Sequence, residues 1–142
     1  MKLVITFLTG ILITLSTHAQ FSDAITGTWL SEDGKGKVTI YKQGNKYYGK
    51  LSWLKEPYEE DGKTPKIDDE NPDDNEAKKP LLGKVILKDF VFEDGFWQDG
   101  EIYDPESGKT YDCEMWLEGN NNLKIKGYWH FIYRVDTWTR SY

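Results

Sequence analysis

The stretch Lys109-Thr110-Tyr111-Asp112-Cys113-Glu114-Met115-Trp116-Leu117, followed by Glu118-Gly119-Asn120-Asn121 and then Asn122 to Tyr128, decides the fold. Tyr111, Cys113, Met115 and Leu117 fall on one face of an extended chain, with Asp112 and Glu114 on the other. That alternation has a period of two, the signature of a half-buried strand. Gly119, Asn120 and Asn121 tolerate the backbone angles of a tight turn. Leu123 and Ile125 then alternate with Lys124 and Lys126, so the chain returns as a second strand.

The same reading extends outward in both directions. Lys37 to Tyr41 alternates, Gly44-Asn45 is a hairpin turn, and Lys46 to Leu54 returns with Tyr47, Gly49, Leu51 and Trp53 on one face. Strand character resumes at Leu82 to Lys88 and again at Trp97 to Tyr103, where Asp99-Gly100 marks a bulge or a tight turn. Asp104-Pro105-Glu106-Ser107-Gly108 is a further turn, and Phe131 to Arg140 closes the chain as a strand. Strands are expected to start near residues 26, 37, 46, 82, 97, 109, 122 and 131. About eight strands joined in sequence predict an all-β antiparallel meander, closed as a barrel, with a two-sheet sandwich as the alternative. Residues 55–80 break the pattern with four prolines and dense charge, and read as a long polar loop.

The amino end is of a different composition. Met1-Lys2 precedes an apolar run from Leu3 to Leu15, then Ser16-Thr17-His18-Ala19. This pattern predicts a secretory signal peptide over 1–19, cleaved before Gln20. The apolar run is shorter than the roughly 20 residues that span a bilayer, so no stable membrane insertion is expected after cleavage. A single domain over 20–142 remains, in the periplasm or secreted. The net charge of −6 becomes −7 once Lys2 is removed. An acidic domain repels phosphate backbones, so nucleic acid is not an expected partner.

Several motifs run through this domain: Gly27-Thr28-Trp29, Gly34-Lys35-Gly36-Lys37-Val38-Thr39-Ile40-Tyr41, Asn71-Pro72-Asp73, the block from Gly100 to Tyr111, and Thr137-Trp138-Thr139-Arg140. Together they resemble the bacterial domain of unknown function 2147 family. The resemblance implies an exported, lipocalin-like barrel and carries no established activity. Many family members carry cysteines near the second hairpin and the last strands. Tyr48 and Tyr133 stand in those regions here, so no such disulfide is expected.

Four groups of residues bear on function. In lipocalin-like barrels a tryptophan of the first strand packs under an arginine of the last, which predicts a structural pair of Trp29 and Arg140 at the closed end. Aromatic residues make up 15% of the chain. They either fill a small barrel or line a ligand cavity, for which the candidates are Tyr47, Trp53, Trp97, Tyr103, Tyr111 and Met115, with Trp129 in a stretch of uncertain register. The acidic run Asp68 to Glu76 lacks the central glycine and terminal glutamate of a calcium loop, and reads as solvated. Cys113 reads as a small buried hydrophobe, and His130 is the lone histidine after residue 19, so no metal or cofactor is expected. A Cys113–His130 dyad lacks any nucleophile motif. Glu101, Asp104, Asp112 and Glu114 sit near strands and turns without a catalytic pattern, so an enzyme is not expected. Two functions follow: binding of a small apolar ligand inside the barrel, or non-catalytic binding of a protein or glycan through the 55–80 loop and surface aromatics.

Overall fold

The computed structural model describes residues 21–142. The predicted signal peptide, residues 1–19, lies outside the described residues. Among the described residues the strands are β1 (Gly27–Leu30), β2 (Gly36–Gln43), β3 (Lys46–Leu54), β4 (Val85–Glu93), β5 (Phe96–Asp104), β6 (Lys109–Glu118), β7 (Asn122–Trp129) and β8 (Ile132–Ser141). Each pairs antiparallel with the next, and β8 returns to β1 with Arg140 opposite Trp29. The sheet is therefore a closed barrel, which excludes the sandwich. The largest shift from the expected starts is at β4. There Gly83, at positive φ, donates its N–H to the Leu51 carbonyl, and the turn holds residues 82–84 out of the strand.

One end of the barrel is sealed by the segment that precedes β1. Ile25 is fully buried at that end. Three aromatic side chains grip the segment: Trp29 Nε1 donates to the Ile25 carbonyl at 2.9 Å, Trp97 Nε1 to the Ser22 carbonyl at 3.1 Å, and the Tyr47 hydroxyl to Asp23 at 2.8 Å. Arg140 completes the seal. Its guanidinium lies 4.2 Å from the Trp29 ring centre. The same group donates to the carbonyls of Ala24, Thr26 and Asn120.

Three irregularities set which side chains point inward. Lys37 pairs with Trp53 while Val38 pairs with Leu51, so Ser52 is an extra residue in β3 and the face flips beyond it. Asp89 in β4 and Asp99 in β5 both adopt positive φ. At the second of these, three residue steps along β5 (Trp97 to Gly100) match two along β6 (Met115 to Cys113). Asp99-Gly100 is thus a bulge and not a turn. It aims Gly100 inward, where a Cβ would sit 2.5 Å from Phe90 Cγ. Phe90 is fully buried, so the ring occupies the space a side chain at position 100 would need.

Gly100→Ala forces the buried Phe90 ring aside and is expected to destabilise by about 3 kcal/mol, the upper range for overpacking. Urea unfolding followed by Trp fluorescence measures this, and an unchanged midpoint would contradict the packing described. Arg140→Ala removes the stacking and three charged hydrogen bonds at once, and is expected to cost about 3–4 kcal/mol. A thermal melt of the variant checks that figure.

Candidate functional site

The barrel is solid at its sealed half and hollow at the other. A cavity of about 590 Å³ opens between the β1–β2 loop, the β5–β6 turn and the β7–β8 turn. Its wall is aliphatic: Val38, Leu51, Ile86, Ile102 and Ile125, with Trp138 at the base. Alternation along β2, β3 and β7 places Val38, Leu51 and Ile125 inward, as their burial shows. This volume lies within the roughly 300–1,000 Å³ typical of small-molecule sites.

The candidate aromatic residues divide between the two halves. Tyr103, Tyr111 and Trp129 border the cavity. Tyr47, Trp97 and Met115 are buried in the packed half, where Tyr47 and Trp97 meet edge to face at 6.4 Å. Trp53 lies on the outer surface, 41% exposed, with Lys37 Nζ 5.2 Å from its ring centre. The Ser52 bulge is the reason: strict alternation from Tyr47 puts Trp53 inside, and one extra residue turns it out. His130, at positive φ, and Phe131 form the β7–β8 turn at the mouth. Cys113 pairs instead with Gly127 inside the sheet, so the two do not form a dyad. Burial, with the Glu114 charge adding, pushes the Cys113 thiol well above the ordinary thiol range and keeps it protonated.

Sequence reasoning missed two features of the site. The first is the inner face of β8. Ile132, Arg134, Asp136 and Trp138 all border the cavity, and Arg134 Nε donates to Asp136 at 2.8 Å. Counting back by twos from Trp138 finds them. The second is Asp68. The reading of the acidic run as solvated needs correction there, because this carboxylate is 1% exposed. It accepts from the Tyr103 hydroxyl at 2.7 Å, Lys84 Nζ at 2.7 Å and Asn71 Nδ2 at 2.8 Å. Ile67 and Pro80 form a bridge beside it, and the backbone of Glu70 packs on Gly108 so closely that no side chain fits there. The connection between β3 and β4 is thus pinned to the barrel wall. Tyr103 joins the pin to the cavity, since it belongs to both. Among the described residues, no group of three or more His, Cys, Asp or Glu side chains converges as a metal site.

This architecture can be set against known proteins. The family model described as "Uncharacterized protein conserved in bacteria (DUF2147)" matches residues 27–140. The chain belongs to this family. The match starts at β1 and ends at Arg140, so it spans the barrel seam from Gly27 to the residue that closes it. Among solved structures, protein HP1028 from the human pathogen Helicobacter pylori, described as belonging to the lipocalin family, is similar with a TM-score of 0.70. The two share 21% identity over 83% of each chain, a likeness of fold. Among curated proteins, none matches the chain in sequence.

The Asp68 cluster generates a prediction about stability and pH. Burial and the Asp68 hydrogen bond raise the Tyr103 hydroxyl well above its ordinary value of 10.0. For Lys84, burial pulls downward, but the bonds to Asp68 and Glu76 outweigh it and raise the ammonium above 10.5. A raised pKa means that folding favours the protonated form. The contribution is therefore complete below about pH 10 and is lost as pH rises through the folded values. Lys84→Met, which leaves Asp68 buried without its cation, is expected to cost about 3–5 kcal/mol at pH 8. Tyr103→Phe is expected to cost about 2 kcal/mol and to flatten the fall in stability as pH rises above about 10. Urea midpoints across that range check both the sign and the slope.

Proposed function

We propose that this protein is an exported, non-catalytic carrier or sensor of a small apolar molecule, held in the hollow half of the barrel. The observation that supports this reading is the single-mouthed cavity of about 590 Å³ with aliphatic walls. An apolar molecule that leaves water for such a wall gains about 25 cal/mol per Å² of area buried. The rigid barrel spends little ordering entropy on the event. Export rests on the residue pattern of 1–19, with the periplasm or the exterior as the destination. The acidic charge argues against nucleic acid as a partner.

Binding of the apolar probe N-phenyl-1-naphthylamine is expected with micromolar affinity. It should shift the emission of Trp129 and Trp138, which border the cavity. Gly127 offers the matching negative variant. It lies on the cavity wall, and a Cβ there meets only Ile102 Cγ2 and Tyr111 Cβ, both at 3.9 Å. Gly127→Phe projects a ring into the void and is expected to weaken the probe at least about tenfold, or 1.4 kcal/mol, with the fold retained by circular dichroism. A flat response of the unmodified protein to this probe and to a panel of fatty acids, sterols and retinoid-like dyes would overturn the carrier reading.

A further inference from the structure

The cavity has apolar walls and a charged mouth, and the charge has a sign. Five carboxylates border it: Glu32 and Asp33 from the β1–β2 loop, Asp104 and Glu106 from the β5–β6 turn, and Asp136 from β8. Two cations stand against them, Lys35 and Arg134. The mouth therefore carries a net charge of −3 and stays negative even with Lys109, whose Nζ lies 5.6 Å from the Trp129 ring centre. Neither lining cation is free of carboxylates. Lys35 pairs with Glu106 at 3.5 Å, and Arg134 with Asp136 at 2.8 Å. The charges of Glu32 and Asp104 also act on Arg134. An anionic head group arriving at Arg134 thus meets a guanidinium already paired with Asp136 and under the further negative charge of Glu32 and Asp104.

The depth of the carboxylates adds to this. Arg134 pairs across the sheet with Gly127, and Asp136 with Ile125. Asp136 therefore stands two residues further down the wall than Arg134, level with the aliphatic lining. A ligand that reaches the apolar interior passes the rim and meets a carboxylate inside it. Aromatic side chains border the same space, from Tyr111, Trp129 and Trp138. Aromatic faces attract cations by about 0.5–2 kcal/mol per contact, and their negative faces offer an anion no such gain. A cleft with low-dielectric walls focuses the field of its charges onto whatever enters.

We propose that the cavity selects amphiphiles that carry a cationic head on an apolar body, and discriminates against those with an anionic head. The inference rests on the carrier reading and assigns its ligand class. The apolar body fills the space between Val38, Leu51, Ile86 and Ile125, and the head stays at the carboxylate ring among the aromatic faces. Free fatty acids are the disfavoured class.

The test is displacement of N-phenyl-1-naphthylamine from the protein at low salt. The competitors are dodecyltrimethylammonium and dodecanoate, each below its micellar concentration. The cation is expected to displace the probe at about one tenth of the dodecanoate concentration. Addition of about 0.5 M salt is expected to narrow that gap, since exposed rim charges are screened. Glu32→Gln, Glu106→Gln and Asp136→Asn together bring the mouth to neutrality and should leave the two competitors within about twofold of each other. Glu32→Gln with Glu106→Gln alone spares the inner wall and should narrow the gap part-way. Equal or tighter binding of dodecanoate at low salt, or a gap unchanged in both variants, would overturn the proposal. Probe binding with no displacement by either amphiphile would overturn it too, with the carrier reading intact. Failure of the probe itself to bind would bring down both.

Discussion

The barrel depends on how its first and last strands are joined, and one side chain dominates that junction. Arg140 on β8 stacks on Trp29 of β1 and ties down the carbonyls of Ala24, Thr26 and Asn120. These groups belong to the segment before β1 and to the β6–β7 turn. A single guanidinium therefore holds together the seam, the plug and a neighbouring hairpin. Among the described residues, closure of the seam leaves no strand of the barrel with an unpaired edge to recruit another chain. Sealing one end also gives the interior a floor, so that any space left above it becomes a cup with one mouth.

Whether space remains depends on the sizes of the inward side chains, ring by ring. Near the floor they are large: Trp29, Trp97, Tyr47 and Phe90 are all fully or almost fully buried. The strands accommodate them by presenting glycine where two would collide. Gly100 lies against Phe90, and Gly49 against Leu87 and Val38. Towards the mouth the inward residues are mid-sized aliphatics, and Gly127 contributes no side chain at all. Aromatic mass fills the lower half and runs out in the upper half. The two uses open to the aromatic residues, filling and lining, thus both occur in one barrel at different heights.

The β3–β4 connection shows where local chemistry misleads. Four prolines and a run of acids mark residues 55–80 as solvent-loving, and most of them are exposed. Asp68 departs from this because Lys84 and Tyr103 come to it from elsewhere in the chain. A buried carboxylate is tolerable only with such partners, and it then holds its segment in one place. Trp53 is the converse case. Its place in a strict alternation points inward, yet a single extra residue at Ser52 turns it to the surface beside Lys37. The Asp99-Gly100 break was legible as an irregularity, though its form depended on Phe90 across the sheet.

Strand positions, turn positions, the meander order and the Trp29–Arg140 pairing were all readable in the chain alone, because each follows from residue types at short spacing or from motifs shared with a family of barrels. The sealed and hollow halves, the burial of Asp68, the outward turn of Trp53 and the charged inner face of β8 were decided only by the tertiary structure. Those features depend on which side chains from distant strands share one level of the barrel. Bulges reset that level strand by strand, and no local pattern reports the sum.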